Sequence, residues 1–139
     1  MNVDVFVDTN ILVYAHDADA GEKHVRAKAL IEGFWNNREI PSLSVQVLQE
    51  LHVNLVRKGT AVGRSAQIVE RYLSWRVVDN TRHLLQQAFA EQQRWKISFW
   101  DSLIIAAARR AGVSTLWSED LSDRQDYGGV SVTNPLKCT

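Results

Sequence analysis

The sequence predicts an α/β fold built around a mostly parallel sheet. Short apolar segments recur along all 139 residues and alternate with longer segments of helical spacing. Parallel neighbouring strands need crossover connections, and the helical segments supply them. Hydrophobic residues make up 45% of the chain and charged residues 23%, ordinary values for a single domain, expected to span residues 1–139.

The first part of the chain is predicted to contribute two strands and four helices. Ser44 is a suitable N-cap for the third of these helices, and Gly59 ends it. Pro41 places the second strand near a sheet edge or at a strand end. In chain order the predicted elements are a strand at 3–7, helices at 10–16 and 22–36, a strand at 39–42, and helices at 44–58 and 61–75.

The rest of the chain is predicted to contribute three strands and two helices. Thr81 and Ser98 are the expected N-caps, and Gly112 is the expected end of the last helix. The predicted elements are a strand at 76–79, helices at 81–95 and 98–112, and strands at 114–117 and 130–133. We find no internal repeat, low-complexity segment or linker.

Composition narrows the classes of protein that remain. No apolar run approaches the ~18 to 20 residues of a membrane span, so we expect no membrane partner. The chain enters a strand-like segment within three residues, with no charged leader, so we expect no signal peptide and a cytoplasmic location. The single cysteine, Cys138, rules out an internal disulfide framework.

The charges cancel overall, but they are unevenly distributed. Segment 1–41 carries seven acids against four bases, and segment 113–139 carries four against two. Segments 42–78 and 80–112 each carry five bases against two acids. Acidic ends and a basic middle can fold into an acidic pocket within a basic surround, which suits a metal-dependent nuclease but is weak support alone.

One stretch near the N-terminus places a carboxylate where packing does not explain it. Residues 4–14 read DVFVDTNILVY, in which Asp8 ends a buried strand and apolar residues resume after Asn10. In open parallel sheets, function lies outside the carboxyl ends of the strands. The third and fourth predicted strands also end in polar residues, namely Asp79 and then Ser118, Glu119 and Asp120.

Each acidic position also has a simpler structural role. Asp8 can N-cap the first helix. Glu50 borders the apolar stripe of its helix, where a Glu side chain is usually solvated. Asp101 follows Ser98 in a pattern that resembles a capping box, with Asp in place of the usual Glu or Gln. The acidic loop can simply be solvated, and its members are Glu119, Asp120, Asp123 and Asp126.

Taken together, the four acidic positions predict a metal site. Carboxylates clustered at one sheet edge repel one another unless a cation compensates them. Hard oxygen ligands suit Mg²⁺ or Mn²⁺, which would activate water and neutralise charge on an attacked phosphodiester. The histidines and the cysteine do not show zinc spacing.

Four segments of the chain resemble the motifs of PIN domains, and specifically of the VapC toxins of bacterial and archaeal toxin–antitoxin pairs. They read VFVDTNILVYAHD, SVQVLQEL, FWDSLIIAAA and TLWSEDLSD in chain order. The first and third are specific, and the order and spacing of the set strengthen the weak second. The resemblance spans essentially the whole chain and implies a three-layer α/β/α sandwich around a parallel sheet of four or five strands.

By this resemblance the metal-site and catalytic carboxylates are Asp8, Glu50, Asp101 and Asp120. Asp8 would contact the metal most directly, and Glu50 would act directly or through a bound water. Asn10 would hold the Asp8 loop by hydrogen bonds, and Ser118 would stand where the family usually carries Ser or Thr.

The fourth acid is the least regular position in the family, so Glu119 and Asp123 remain alternatives to Asp120. The implied activity is hydrolysis of an RNA phosphodiester by water activated on Mg²⁺, or on Mn²⁺, without a covalent intermediate. No Ser–His–Asp arrangement contradicts it. The aromatic residues near the third motif could stack on RNA bases, although core packing is the more common role for Trp95, Phe99 and Trp100.

The resemblance also implies protein partners. A VapC-like toxin would be held inactive by a small antitoxin, whose segment lies near the acids, often through a basic side chain. An apolar groove for it could involve Phe34, Trp35 and Leu51, although each also suits the core. A homodimer is expected as well, with the 44–58 and 61–75 helices at the interface and apolar contacts from Ile68, Val69, Tyr72 and Leu73.

Two alternatives remain at this point. A haloacid-dehalogenase-like phosphatase also places an Asp after its first strand, but it needs a second acid two residues on, where this chain has Asn10. A PIN fold used only as a binding module is the other alternative. The presence of all four acids argues against a PIN fold that has lost catalysis.

Overall fold

The computed structural model describes residues 1–137, so Cys138 lies outside the described residues. Within that range the chain forms five strands and six α-helices. The strands are β1 (Asn2–Val7), β2 (Ile40–Ser44), β3 (Arg76–Val78), β4 (Thr115–Trp117) and β5 (Ser131–Thr133). The helices are α1 (Thr9–His16), α2 (Glu22–Asn36), α3 (Val45–Arg57), α4 (Val62–Tyr72), α5 (Arg82–Trp95) and α6 (Phe99–Ala111). None of these helices is long and apolar enough to cross a bilayer.

The five strands form one parallel sheet in the order β3-β2-β1-β4-β5. β1 lies at the centre, which explains why Phe6 and Val7 are fully buried. Pro41 is the second residue of β2, an interior strand, so it marks a strand end and not a sheet edge. β1 pairs with β4 so that Val7 lies opposite Trp117. Their next residues therefore emerge side by side from the sheet.

The chain order explains the three layers. From β1 the chain adds β2 and β3 on one side of β1, and then crosses back to add β4 on the other side. Because such crossovers are right-handed, α1–α4 cover one face of the sheet, and α5 with α6 covers the other. α1 packs against both α2 and α3, α3 packs against α4, and α5 packs against α6. The predicted α/β/α sandwich is confirmed.

Capping residues set most of the helix boundaries. The Oγ atoms of Ser44 and Ser98 and the Oγ1 of Thr81 accept hydrogen bonds from backbone N–H groups three residues on, at 3.3, 3.1 and 3.0 Å respectively. Gly112 ends α6 with a φ of 75°, a conformation that glycine adopts without strain. The predicted 61–75 helix is too long, because α4 ends at Tyr72 and the chain turns there to enter β3.

Several residues expected at protein interfaces lie in the core instead. Phe34 and Leu51 are 7% and 0% exposed, so they do not line an open groove. Ile68 and Tyr72 are 8% and 2% exposed. Tyr72 packs with Trp35 in a cluster of aromatic rings whose other members are Phe34, Trp75 and Trp117. These side chains therefore belong to the hydrophobic core or pack against it.

Candidate active site

A small cleft opens at the carboxyl ends of β1 and β4. After β1 the chain continues to β2 on one side of β1, whereas β4 pairs with β1 on the other side. Such a topological switch point leaves a crevice between the carboxyl ends of β1 and β4. The cleft has a volume of about 70 Å³, room for about two water molecules at ~30 Å³ each. Its lining residues are Asp8, Thr9, Asn10, Gln46, Glu50, Asn54, Trp100, Asp101, Ile104 and Asp120.

All four predicted acids line this cleft, and no Lys, Arg or His within residues 1–137 lines it with them. They come from four different elements. Asp8 follows β1, Glu50 lies in α3, Asp101 lies in the first turn of α6, and Asp120 follows β4. The sheet register and the start of α6 therefore bring together carboxylates that are far apart in sequence.

Asp8 is buried at the bottom of the cleft and 5% exposed. It N-caps α1, with its Oδ1 accepting from the Thr9 backbone N–H at 2.7 Å, so its simpler structural role is real. Its Oδ2 accepts from the Ser118 hydroxyl at 2.8 Å. Burial raises the pKa of Asp8 to about 7, and the nearby charges of Asp120 and Glu50 add to the rise against the opposing hydrogen bonds.

Glu50 is held by two neighbours that sequence reasoning did not single out. The Thr9 hydroxyl and the Gln46 amide both donate to Glu50 Oε1, at 3.2 and 3.1 Å. Thr9 and Gln46 are 5% and 6% exposed. Gln46 lies four residues before Glu50 on the same helix face, and that spacing is the sequence signal that could have identified it.

Asp120 and Asp101 face each other across the mouth of the cleft. The Asn10 amide donates to Asp120 Oδ2 at 2.8 Å, so Asn10 orients this acid more directly than the Asp8 loop to which it was assigned. Partial burial raises the pKa of Asp120, and the charges of Asp101 and Glu119 raise it further. The Asp101 backbone N–H donates to the Ser98 hydroxyl at 3.1 Å, and Asp101 lines the cleft.

Ser118 is fully buried and links both strand ends. Its hydroxyl donates to Asp8, while its Oγ accepts from the backbone N–H groups of Asp120 and Leu121 at 3.2 and 3.3 Å. The residue therefore fixes the Asp8 carboxylate and the turn that carries Asp120. A side chain without a hydroxyl would leave these groups unpaired in a buried place.

The other candidate acids point elsewhere. Glu119 accepts from the Tyr14 hydroxyl at 2.6 Å and pairs with Lys23 at 2.6 Å. Burial raises the pKa of Glu119, but these two partners outweigh it and lower the pKa below its usual value. Asp123 accepts from the Asn134 N–H at 2.8 Å and pairs with Lys137 at 3.2 Å. Neither lines the cleft, so Asp120 is the acid after β4 that does.

Asp79 also lies outside the cleft, although it follows a strand of the same sheet. β3 is the edge strand, two strand spacings from β1, or about 10 Å. Asp79 is exposed there and does not line the cleft. Distance across the sheet thus separates it from the four acids.

The type of donor in the cleft fits a hard divalent cation, while the present side-chain positions do not form a coordination sphere. Four carboxylates line the cleft without a basic neighbour among the lining residues; burial raises the pKa values of Asp8 and Asp120, and the nearby carboxylates raise them further. Oxygen ligands of this kind suit Mg²⁺ and Mn²⁺. Within residues 1–137, however, no three His, Cys, Asp or Glu side chains converge closely enough to hold an ion as they stand.

Comparison with known proteins identifies the family. The PIN domain family matches residues 5–123, which include the end of β1, all of β4 and all four acids of the cleft. The chain therefore belongs to the PIN domain family. The resemblance seen in its four motifs is confirmed. No curated protein matches the sequence.

Solved structures with this fold include toxins. VapC20 of Mycobacterium tuberculosis, described as a sarcin–ricin loop cleaving toxin, is 26% identical with a TM-score of 0.66, over 84% of this chain and 91% of that one. A toxin–antitoxin complex from Klebsiella pneumoniae is 19% identical with a TM-score of 0.66, and FitAcB from Neisseria gonorrhoeae is 17% identical with a TM-score of 0.57. Both cover 94% of this chain and 97% of the other. At these identities the last two likenesses concern the fold alone.

Proposed function

We propose that this PIN-domain chain is a metal-dependent endoribonuclease, the toxin of a toxin–antitoxin pair, acting in the cytoplasm. The observation that carries the proposal is the cleft itself, in which four carboxylates from four elements meet without a basic residue in the lining. The description of VapC20 as a sarcin–ricin loop cleaving toxin supports the choice of an RNA substrate.

The residues proposed to hold Mg²⁺, or Mn²⁺ in its place, are Asp8, Glu50, Asp101 and Asp120. Bound there, the ion would supply an activated water and neutralise charge on the phosphodiester. Asp8 is the best placed of these residues, because Ser118 and the Thr9 N–H fix its carboxylate at the bottom of the cleft.

The neighbouring side chains orient the acids. Thr9 and Gln46 occupy only Oε1 of Glu50, so Oε2 remains available for an ion or for water that an ion holds. Asn10 likewise bonds one oxygen of Asp120. The cleft can therefore offer several oxygens without breaking the hydrogen bonds that position them.

RNA cleavage by the purified protein tests the proposal. Total RNA and a single-stranded oligonucleotide are incubated with Mg²⁺, with Mn²⁺ or with EDTA. We expect cleavage only with a divalent ion, and none from Asp8→Asn or Asp120→Asn. Asp79→Asn is the matched control, because it removes an acid that also follows a strand but lies outside the cleft. Cleavage that persists in EDTA or in Asp8→Asn would refute the site.

The same assay separates the alternatives. A PIN fold that only binds RNA would retain RNA without cutting it under any ion. The phosphatase alternative is set aside by the family match and by the structure, since Asn10 has no acid proton to donate and its amide contacts Asp120. A phosphatase would release phosphate from a monoester and leave internal RNA bonds intact.

We further propose that a small antitoxin covers the acid cleft and places a basic side chain among the carboxylates. The negative charge that the lining residues leave uncompensated is what such a side chain would neutralise. The antitoxin is expected from a small open reading frame beside this one, and co-expression should yield a complex that does not cleave RNA. Harmless overexpression of the chain alone, with no such neighbour, would contradict the toxin assignment.

A homodimer is proposed through the groove between α3 and α4. With Ile68 and Tyr72 in the core, the apolar contacts available there come from Val53, Val69 and Leu73. Val53 and Leu73 are 50% and 56% exposed, which is unusual for apolar side chains that lie side by side. A second copy of the chain would bury them.

A further inference from the structure

Trp100 is an exposed aromatic side chain at the rim of the acid cleft. It directly precedes Asp101 in the first turn of α6, and it lines the cleft together with the four acids. Its side chain is 64% exposed. A tryptophan ring normally buries a large apolar area, so an open one beside a polar cleft needs an explanation.

The structure separates Trp100 from the two other aromatic residues nearby. Trp95 is half-buried, its indole N–H donates to Glu91 at 3.0 Å, and its ring meets Tyr127 edge-on. Phe99 is half-buried and packs against the core. Both have structural roles that account for them, whereas most of the Trp100 ring is open.

Phe99 also supports the Trp100 ring from one side. The ring centroids are 5.3 Å apart, and the planes meet at 69° in an edge-on arrangement. This geometry restrains the indole at the rim and leaves much of its surface open to a ligand. Phe99 packs against the core, so its ring holds the Trp100 indole in place. Asp101 is the next residue of α6, so the indole lies beside this acid.

The small size and the acidic lining of the cleft indicate that residues at its rim must help to bind an RNA strand. Its volume of about 70 Å³ is too small for a nucleobase, so bases must lie outside it. Its lining carries four acids and no base, so the lining by itself does not attract a phosphate. Stacking on an aromatic face supplies affinity that does not depend on charge, and it tolerates any base.

We propose that Trp100 stacks against an unpaired nucleobase of the RNA at the rim of the cleft. This inference rests on the proposed ribonuclease function. A base within a duplex has both faces covered by its neighbours, so only an unstacked nucleotide can lie on the indole. Trp100 is thus a substrate-binding residue that selects unpaired RNA.

Binding and cleavage of defined RNAs test the proposal. The probes are a fluorescein-labelled single-stranded RNA of mixed sequence, a strand of the same length in which every residue is abasic, and the duplex of the first strand. Binding is measured by fluorescence anisotropy in EDTA, where no divalent ion supports cleavage, and kcat and KM are measured with Mg²⁺ or Mn²⁺. The variants are Trp100→Ala and Trp100→Phe, with Val25→Ala as the control, because Val25 is 66% exposed on a different helix.

We expect Trp100→Ala to bind the intact strand about 5- to 150-fold more weakly, because base–aromatic stacking contributes about 1–3 kcal/mol. Trp100→Phe restores most of this affinity. Removal of all bases weakens RNA binding by the wild type more than by Trp100→Ala, whereas a single abasic residue would let the ring stack on a neighbouring base. The loss is the same at low and high salt, since removing an uncharged ring leaves the salt dependence unchanged. In cleavage, the loss falls on KM more than on kcat.

Three results would overturn the inference. Trp100→Ala could bind and cleave the intact strand like Val25→Ala, or the abasic strand could weaken binding by the wild type and by Trp100→Ala equally. A loss confined to the antitoxin complex, with RNA binding intact, would assign Trp100 to the protein partner instead. These results differ from a failure of the proposed function, in which the wild-type protein would cleave no RNA with either ion. In that case the comparison of RNA binding would still decide the role of Trp100.

Discussion

Replacing Asp8 by Asn is expected to stabilise the metal-free protein at neutral and alkaline pH, and to stabilise it less as the pH falls. Asp8 is buried, and its pKa in the folded protein is raised from 3.8 to about 7. Between these values the folded state holds a proton that the unfolded state has released, so the stability of the wild type falls as the pH rises through this window. The Asn side chain carries no charge at any pH and avoids this loss.

The size of the effect follows from the shift. About three pKa units at about 1.36 kcal/mol each set an upper limit of about 4 kcal/mol for the cost of ionising Asp8 above pH 7. The Asn amide cannot accept from both Ser118 and the Thr9 N–H, and such a mismatch costs about 1–2 kcal/mol. We therefore expect Asp8→Asn to be about 2–3 kcal/mol more stable than the wild type at pH 8, and about 1–2 kcal/mol less stable near pH 4, where only the hydrogen-bond mismatch remains.

Urea denaturation in EDTA at several pH values between about 4 and 8.5 measures this difference directly. The matched control is Asp79→Asn, since Asp79 is exposed and lies outside the cleft. It should follow the wild type at every pH. If the difference in the free energy of unfolding between Asp8→Asn and the wild type does not change between pH 4 and 7, the buried charge of Asp8 does not lower the stability of the fold. That result would refute the reasoning.

Three further predictions concern other parts of the molecule. Arg109→Ala should destabilise the fold by about 3–5 kcal/mol in thermal melts, because it leaves the buried Glu91 carboxylate without its ion pair. In the wild type, Arg109 Nε lies 2.6 Å from Glu91 Oε2. A smaller loss of stability in Arg109→Lys would support this cause. Light scattering at micromolar concentration should report about twice the 15.8 kDa chain mass, and Leu73→Asp should halve it; a wild-type monomer would contradict the dimer. Asn10→Ala should weaken the binding of Mn²⁺ about 10- to 100-fold by freeing Asp120, and unchanged affinity would show that Asn10 does not position that acid.

Most of the fold was predictable because its signals are local. Ser44, Thr81 and Ser98 cap helices in the structure as their sequence contexts predicted, since a hydroxyl before an apolar helix has few other uses there. The parallel sheet followed from the alternation of short strands with helices. The end of α4 was not predictable in this way, because the turn after Tyr72 depends on where β3 must pair in the sheet.

The site was predictable only in outline. Strand ends indicated one edge of the sheet, but they could not show that Asp79 lies two strands away from β1. The choice between Glu119 and Asp120 depends on a turn fixed by Ser118, and on Tyr14 and Lys23, which draw Glu119 away from the cleft. Contacts between residues this distant in sequence exist only once the chain has folded, so a single sequence does not reveal them.

Calorimetric titration of Mn²⁺ and of Mg²⁺ into the purified protein tests the central claim most directly, because it asks whether the four carboxylates hold a cation. The account predicts saturable binding to the wild type and to Asp79→Asn, and loss of that binding in Asp8→Asn. A wild-type protein that binds neither ion, or an Asp8→Asn variant that binds as tightly as the wild type, would contradict it.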